Sequence, residues 1–590
     1  MRKYLLLVIS LVFWNFVFGQ TDLFKEIDIA FHQAIPMRDG INLSGTIVKP
    51  KNSQEKLPAL FMLTPYIADL NQTSADYFAK QGYVVITVDT RGRGNSGGVA
   101  QPFTSQDGKD GFDVCKWIIE QPWSNGKIGM YGGSYLGMVQ WLILKENPPG
   151  LKTIIPTASV CPGIDFPKRN NIFYTYVAPY LAFISGKTGN RTTFTDIEYW
   201  SQIYMSFFSG QLPYSKMIEV SGLTSDDFQK WLKHPLLDDY WKSILPTDKD
   251  FKQFNIPILT ITGYYDDDQL GAMYYYSNFM KYASQSAIDN SYLLVGPWDH
   301  SGTRRPQKEL GELKFDQNAV LDMNKLQLDW FNWILKNGSK PEIFKDKVTF
   351  YIMGKNDWDY TSSVQNLKKA TILLYLHSDE TKSTDIFHSG YMIHENANNP
   401  MPDTFRYDPL DVSYSKYDLE DGHLINYALY KNREAYKGAG LIYHSAPLDK
   451  DVTLAGQIKL TVSISMDVKD ADFEILLYEI KPDGTSVFLT TDILRARYRN
   501  SLEKEELPSP GQIYTYVFKT PYMFVRKVSA GSRFRLIIRN LNSPHYEKNF
   551  QSGGNIFEET SKSANAGTFL LYHNIANSSF LEIPVYKIGE

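Results

Sequence analysis

The sequence predicts a chain in two parts, with a doubly wound α/β sheet in the first half and an all-β domain in the second. Two observations carry this prediction. Short, almost continuously apolar segments alternate with helix-like segments in the first half, whereas apolar and polar residues alternate one by one in the second. Buried parallel strands show the first pattern because helices cover both sheet faces, and antiparallel strands show the second.

Length and composition are those of a globular protein with more than one domain. The 590 residues are 43% hydrophobic and 21% charged, and the net charge of −4 requires no nucleic-acid or anionic-membrane partner. Aromatic residues reach 14%, which favours packed cores and an aromatic-lined pocket. Cys115 and Cys161 are too few for a disulfide framework or a metal cage, so we expect two separate buried thiols, with a pair as the alternative. We expect no metal and no cofactor.

The first 19 residues have the features of a secretory signal peptide. Arg2 and Lys3 precede an apolar stretch from Tyr4 to Phe18, and the small residue Gly19 follows it. The stretch is shorter than the roughly 20 residues of a bilayer span. We therefore expect export to the periplasm or the cell exterior, with an uncleaved anchor as the alternative. No later segment predicts a membrane span.

The first half begins with a hairpin, Ile27 to Ile35 and Ile41 to Val48, joined by a turn that contains Asp39-Gly40. Six buried strands are predicted after it: Ala59 to Thr64, Tyr83 to Val88, Ile128 to Tyr131, Lys152 to Pro156, Ile256 to Thr262 and Tyr292 to Val295. Residues 157–252 lack this rhythm and predict a helical cap over the sheet. The α/β core is therefore assigned to residues 20–156 and 253–343, and it closes with a helix from Leu321 to Lys336.

Residues 344–590 predict a β-sandwich or jelly roll. Every second residue is apolar from Ile458 to Met466 and again from Phe534 to Ile538. The boundary is predicted near Asn337-Gly338-Ser339, where turn-forming residues follow the last helix of the core.

The segment from Lys127 to Gly137, KIGMYGGSYLG, contains the candidate nucleophile. An apolar strand runs into small residues around Ser134 and then into a helix-like stretch, which is the context of a nucleophile elbow. The backbone N–H of Tyr135 would then face the developing oxyanion. The common motif has glycine two residues after the serine, whereas Leu136 stands there in this chain. A glycine-rich turn with an incidental serine is the alternative.

An acid and a histidine follow the last two predicted core strands in the order that this fold uses. Asp266 comes after the strand that ends at Thr262, and His300 comes after the strand that ends at Val295. Because the carboxyl ends of parallel strands lie at one sheet edge, both side chains can meet above Ser134. His300 would be the general base and Asp266 would orient it. Asp267 or Asp268 could be the acid instead, and helix-capping acids with a surface histidine are the alternative.

These motifs together resemble the CocE/NonD-type serine hydrolases, the family of cocaine esterase, the α-amino acid ester hydrolases, cephalosporin acylases and S15-type X-Pro dipeptidyl-peptidases. Ser134 lies in Gly-x-Ser-Tyr-x-Gly, an elbow form in which the Leu136 departure is expected, and His300 lies in Gly-Pro-Trp-x-His. Tyr407-Asp408-Pro409 and the segment from Leu494 to Tyr498 resemble the family's jelly roll. The likeness covers nearly the whole mature chain. It implies an α/β-hydrolase core, a helical cap and a β domain beside the active site.

Thr64-Pro65-Tyr66 matches the family segment whose tyrosine hydroxyl is the second oxyanion donor. Tyr66 also follows a predicted strand where this fold places its other oxyanion donor, and a phenol can donate to an oxyanion as an N–H does. A buried structural tyrosine is the alternative.

The resemblance implies hydrolysis of a small ester, amide or short peptide through an acyl-enzyme. Asp268 matches an acid that holds the substrate's α-ammonium in the α-amino acid ester hydrolases, Gln269 stands where the next acid would be, and Asp165 is a candidate third acid. Asp165 and Asp268 could instead be solvated loop acids. An X-Pro dipeptidyl-peptidase, a hydrolase of simple acyl esters or β-lactam side chains, and an inert protein that binds through its β-sandwich stay open.

Overall fold

The computed structural model describes residues 26–589 apart from 52, 224, 380–382, 400 and 414–439. The predicted signal peptide, residues 1–19, lies outside the described residues. Within them the strands gather into two large sheets, one in each half of the chain, together with two short ladders.

The first sheet contains ten described strands, labelled β1–β10 in chain order. Their bounds are Ile27–Pro36, Asn42–Pro50, Leu57–Thr64, Val84–Asp89, Ser124–Ser134, Leu151–Ser159, Leu259–Tyr265, Tyr292–Asp299, Val348–Ile352 and Asp357–Thr361. Their order across the sheet is β1-β2-β4-β3-β5-β6-β7-β8-β9-β10. Strands β3 to β9 run parallel, and antiparallel pairs, β1 with β2 and β9 with β10, form its edges. The predicted α/β class and the opening hairpin are confirmed.

Helices connect the strands of this sheet and form the insertion above it. Labelled α1–α13 in chain order, they are Gln72–Lys80, Gln106–Glu120, Tyr135–Lys145, Val177–Phe183, Arg191–Phe194, Ile197–Phe208, Met217–Val220, Asp226–Leu232, Asp239–Ile244, Asp248–Gln253, Gln269–Tyr282, Gln285–Asp289 and Met323–Lys336. Helix α3 is buried almost all round because it packs between α2 and β6. Helices α4–α10 lie in the segment that the sequence assigns to the cap, where a short ladder of residues 168–169 with 172–173 was not predicted.

The first sheet continues past residue 343, where the sequence placed the end of the core. Strand β9 pairs in parallel with β8, with Leu293 opposite Val348, and β10 pairs with β9. All five residues of β9 are buried. A short run of mostly apolar residues gives no periodicity that distinguishes the edge of one sheet from the start of the next, so its partner strand is decided by tertiary structure.

The second sheet contains thirteen described strands, labelled β11–β23. Their bounds are Ala370–His377, Gly390–Ile393, Asp403–Tyr407, Gly440–Ser445, Val452–Gly456, Lys459–Met466, Asp472–Ile480, Ser486–Arg495, Tyr514–Phe518, Phe524–Val528, Arg533–Asn540, Gly567–Tyr572 and Phe580–Ile588. All but one of its described strand pairs are antiparallel, the exception being β12 with β14. The all-β prediction for this half is therefore confirmed.

The two halves make direct buried contacts beside the cap. Arg169 forms an ion pair with Asp492 of β18 at 3.0 Å, and both side chains are inaccessible to solvent. Gln269 at the start of α11 accepts a hydrogen bond from the Met523 N–H at 2.6 Å. The β domain is thus held against the side of the hydrolase core that carries the candidate site.

Cys115 and Cys161 are both buried and free, in agreement with the prediction of two separate thiols. Among the helices of the described residues, none combines the length and apolar character needed to cross a bilayer.

Candidate active site

Ser134 occupies a strained turn between β5 and α3. Its backbone angles are φ 63° and ψ −126°, a region that non-glycine residues rarely occupy and that costs about 1–3 kcal/mol. Strand β5 ends at Ser134 and helix α3 begins at the next residue, so the chain reverses direction within one peptide. This is the geometry of a nucleophile elbow, in which a serine side chain is presented at the end of a strand.

Two glycines make this turn sterically possible. Gly132 has φ +135°, and a Cβ atom there would lie 2.7 Å from the Leu136 Cβ. Gly137 faces β6, where a Cβ atom would lie 2.7 Å from the Ser159 Oγ, so its absence lets α3 approach the sheet closely. Leu136 therefore packs against Gly132, and Gly137 packs closely against strand β6.

Asp266 and His300 form a hydrogen-bonded pair at the carboxyl ends of β7 and β8. The His300 Nδ1 lies 2.9 Å from the Asp266 Oδ1. The Asp266 carboxylate also accepts hydrogen bonds from the Thr262 Oγ1 at 2.7 Å and from the Asp268 N–H at 3.1 Å. The Asp266 side chain is fully buried, whereas that of His300 is 29% exposed. A buried, oriented carboxylate behind an accessible imidazole is the arrangement of an acid–base pair.

The position of the imidazole distinguishes among the three consecutive acids. Its Nδ1 lies 3.6 Å from the Asp268 Oδ2, beyond hydrogen-bonding distance. No ion pair or hydrogen bond joins Asp267 to His300 in the part of the chain that the structure describes. Asp266 is thus the hydrogen-bond partner of His300.

Ser134, His300 and Tyr66 line the same cavity, whose volume is about 440 Å³. Tyr66 lines this cavity together with Ser134, and burial raises the pKa of Tyr66 to about 12. The phenol therefore keeps its proton at neutral pH and can donate a hydrogen bond beside the serine. Tyr135 also lines the cavity and opens α3, so its backbone N–H belongs to the first turn, where N–H groups lack intrahelical partners.

Four carboxylates line this cavity, and the sequence predicted two of them. Asp165 and Asp268 were predicted, and Asp267 and Asp299 were not. Asp165 is buried, and its two oxygens accept hydrogen bonds from the Cys161 N–H and the Gly271 N–H at 2.7 and 2.6 Å. The wall beside the serine therefore carries a concentration of acidic groups.

Burial in this wall raises the pKa values of its acids. Desolvation, together with the nearby Asp266 carboxylate, raises the pKa of Asp165. Desolvation also raises the pKa of Asp268, and Asp165 and Asp266 add to the rise while His300 opposes it. The Asp267 Oδ1 is buried without a hydrogen-bond partner in the structure. These carboxyl groups would gain most from a cation that enters the cavity.

Gln269 stands where the next acid of the predicted amine site would be. It is buried, and its side chain has a structural role. Its amide donates hydrogen bonds to the Gly263 and Met523 carbonyl oxygens, each at 2.9 Å. It joins the end of β7 to the β domain and does not line the cavity.

Aromatic residues of the cap make up half of the remaining lining residues, and a histidine of the β domain adds to them. The cap residues are Phe166, Tyr174, Tyr176, Tyr180, Phe194, Trp200 and Tyr204, and His545 comes from the β domain. The aromatic richness of the cap was visible in the sequence, but the contribution of His545 had no local sequence signal.

A parallel sheet with a serine at the strained turn after β5, and an aspartate–histidine pair after β7 and β8, defines an α/β-hydrolase. The comparisons with known proteins agree. Residues 39–302 match the family model described as X-Pro dipeptidyl-peptidase (S15 family), and residues 377–581 match the model of the X-Pro dipeptidyl-peptidase C-terminal non-catalytic domain. The chain belongs to the CocE/NonD family of serine hydrolases.

Relatives extend this likeness over almost the whole chain. Cocaine esterase of Rhodococcus sp. (strain MB1 Bresler) is 23% identical over 588 residues, covering 95% of this chain and 99% of the esterase. An α-amino acid ester hydrolase structure has a TM-score of 0.82 at 20% identity, with 95% and 97% of the two chains covered. An aminopeptidase structure from a marine sediment Thaumarchaeota archaeon has a TM-score of 0.81 at 22% identity, with 96% and 97% covered. The structural likenesses show the fold.

Proposed function

We propose that this protein hydrolyses ester or amide bonds through an acyl-enzyme on Ser134. One observation carries the proposal: a strained serine and a hydrogen-bonded Asp266–His300 pair open on the same cavity. Neither feature has a structural use in an inert scaffold, because the strain costs free energy and the imidazole is kept accessible beside a buried acid.

In the proposed reaction the Ser134 Oγ attacks the substrate carbonyl carbon while the His300 Nε2 takes the hydroxyl proton. Asp266 holds the imidazole tautomer and stabilises the imidazolium. The tetrahedral oxyanion accepts hydrogen bonds from the Tyr66 hydroxyl and the Tyr135 N–H. As the intermediate collapses, the bond to the leaving group breaks and His300 gives its proton to the departing oxygen or nitrogen. Water then attacks the acyl-enzyme with the same base, releasing the acid and restoring the serine.

We infer that the preferred substrate carries a free α-amino group. The support is the acidic wall, in which Asp165, Asp267 and Asp268 lie in the cavity that Ser134 also lines. An entering ammonium would be attracted to these carboxylates and would lower their pKa values, so ammonium binding favours their ionised forms. Asp268 is best placed to select the amine, because Asp165 already accepts two backbone hydrogen bonds.

An X-Pro dipeptidyl-peptidase is the second candidate, and the two family models of that description favour it. The same acidic wall would then hold the amine of a dipeptide unit, and the acyl chain would be one residue longer. The two candidates differ in the acyl group that the cavity of about 440 Å³ accepts.

A substrate panel tests the proposal and separates these candidates. Aminoacyl esters, X-Pro dipeptide amides and plain acyl esters are compared by kcat/KM, with Ser134→Ala as the control. We expect cleavage of at least one class with a free amine, and its loss in Ser134→Ala. Equal activity of both proteins on every substrate would contradict catalysis by Ser134.

We also infer export of the mature protein, supported by the charged and apolar residues at the N-terminus. Mass spectrometry of the protein expressed in a bacterial host with a periplasm tests this inference, since cleavage after Gly19 would leave Gln20 as the first residue. Retention of the full chain in the cytoplasm would contradict it.

A further inference from the structure

A second cavity, of about 780 Å³, also reaches Ser134, Tyr66 and His300, but its charged lining is different. None of the four acids of the first cavity lines it; its cationic residues are Arg304 and Arg305. Asp322 is the acid on its described wall, and that carboxylate is used to cap helix α13, accepting the Lys325 N–H at 3.0 Å. Ser134 therefore lies where an acidic cavity and an arginine-containing cavity meet.

Arg304 is placed directly against the elbow. A Cβ atom on Gly133 would overlap its Nη1, so this glycine provides the space for the guanidinium beside Ser134. The Nη1 atom is buried and has no hydrogen-bond partner in the structure. The guanidinium also forms no ion pair with any residue that the structure describes.

This arrangement leaves the binding capacity of a buried guanidinium unused. Desolvation lowers the pKa of Arg304, while the more distant Asp266, Tyr66, Asp268 and Asp299 raise it. These four groups favour the charged form of the Arg304 guanidinium without forming a hydrogen bond to it. A guanidinium presents its N–H donors in a planar fork that matches a carboxylate, and such charge-assisted pairs are among the strongest hydrogen bonds in proteins.

We propose that Arg304 binds a carboxylate on the leaving group of the substrate. The inference rests on the proposed hydrolysis at Ser134 and on the amine site in the first cavity. A substrate whose amine lies in the acidic cavity and whose carbonyl lies at Ser134 extends its leaving group into the second cavity. Its two charged ends would then face walls of opposite charge. Short peptides with free termini, and aminoacyl amides of carboxylated amines, have this chemistry.

The test compares two substrates that differ only in the distal charge, L-phenylalanylglycine and L-phenylalanylglycinamide. For each enzyme the ratio of kcat/KM on the carboxylate to kcat/KM on the amide is measured, so that the intrinsic reactivities cancel between enzymes. We expect Arg304→Gln to lower this ratio about 10- to 100-fold, since a charge-assisted hydrogen bond is lost. Arg533→Gln is the matched control: this arginine is exposed on the β domain and lines neither cavity, so we expect a change of about twofold or less.

Arg304→Lys is the second variant, to be used if Arg304→Gln does not fold. Lysine keeps the positive charge but lacks the planar set of N–H donors that a guanidinium offers to a carboxylate. We expect it to lower the ratio about 3- to 10-fold. An unchanged ratio in the folded variant would overturn the proposal. If kcat/KM also falls equally on both substrates, Arg304 would instead be a positioning residue for the elbow. Cleavage of the amide by the wild type, absent in Ser134→Ala, tests the proposed function separately. Cleavage of neither substrate by the wild type would overturn this inference, and fluorophosphonate labelling would then show whether Ser134 is reactive at all.

Discussion

The β domain and the candidate active site both bury charged side chains, but they satisfy them differently. In the β domain, Arg495 lies 2.7 Å from Asp472 and 2.8 Å from Glu547, and all three side chains are nearly inaccessible. Two further buried pairs, Arg497 with Asp470 and Arg526 with Glu479, have the same character. Each of these three arginines has an acidic partner within the fold.

Around Ser134 the buried charges lack such partners. The Asp267 Oδ1 and the Arg304 Nη1 are buried with no hydrogen-bond partner in the structure, and the pKa of Asp268 is raised by its desolvation. A buried charged group without a partner destabilises the folded state. Paired charges in this protein therefore maintain the fold, whereas the unpaired charges around the elbow are available to a ligand.

The largest effect on turnover is expected where the site does contain a satisfied pair. Asp266→Asn would favour the wrong imidazole tautomer, and we expect kcat to fall by about 10⁴-fold with little change in folding. Steady-state kinetics on the best substrate of the panel measures this loss. Asp329→Asn, which removes one partner of an exposed ion pair with Lys325, is the control with the same change of charge. A kcat within tenfold of the wild type would exclude Asp266 as the acid of the pair.

Tyr66→Phe tests whether the neutral phenol beside Ser134 contributes to the reaction. Because the pKa of Tyr66 is raised to about 12, its hydroxyl is a donor at every pH used for assay. Loss of one oxyanion donor typically lowers turnover by about 10²–10³-fold, and we expect this loss in kcat with KM nearly unchanged. Tyr77→Phe, on α1 and outside both cavities, is the matched control. Equal kcat values for Tyr66→Phe and the wild type would remove the phenol from the mechanism.

Asp268→Asn tests the acidic wall of the first cavity. We expect kcat/KM to fall about 10- to 100-fold for an aminoacyl ester and much less for the corresponding ester without the amine, because only the former needs the negative charge. The ratio of the two values, measured in parallel, reports the selection of the amine. An equal loss on both esters would mean that Asp268 acts on His300 and does not select the substrate's amine.

The same ratio should depend on pH in a defined direction. The pKa of Asp268 lies well above its ordinary value of 3.8, so the carboxyl group becomes charged only as the pH rises. Preference for the amine should therefore increase with pH until the substrate's α-amino group, with a pKa of about 8, loses its proton. In Asp268→Asn we expect a flatter profile. A preference that is highest at low pH would contradict the assignment.

Arg495→Met, in the β domain, is expected to have the smallest effect on turnover and a large effect on stability. It leaves Asp472 and Glu547 buried without their cation, and removal of one partner from a buried pair costs about 3–5 kcal/mol. Urea denaturation measures the change in the free energy of unfolding, with the exposed Arg533→Met as control. Unchanged stability, or a loss of kcat in protein that is still fully folded, would contradict the assignment of Arg495 to fold stability alone.

The parts of the site that lie next to strand ends could be predicted from the sequence. Ser134 had a local signal in the small residues between an apolar strand and a helix. Asp266 and His300 followed from their order along the chain, because parallel strands bring their carboxyl ends to one edge. Ser134 and His300 line one cavity, and the buried Asp266 is the hydrogen-bond partner of His300.

What could not be predicted depends on contacts between distant segments. Asp299 and Arg304 flank His300 in the sequence, but nothing local indicates which of the two cavities each one lines. In the sequence Gln269 only marks a missing acid, but in the structure its side-chain amide donates a hydrogen bond to the Met523 carbonyl oxygen, 254 residues away. Strand β9 was assigned to the wrong sheet because five buried, mostly apolar residues fit either one.

Labelling of the wild-type protein with a fluorophosphonate, followed by peptide mass spectrometry, shows whether Ser134 is the activated nucleophile. We expect one adduct, on the Ser134 oxygen, with a rate of labelling that falls sharply in Asp266→Asn and with no adduct in Ser134→Ala. An unlabelled wild-type protein, or an adduct on another residue that persists in Ser134→Ala, would contradict it.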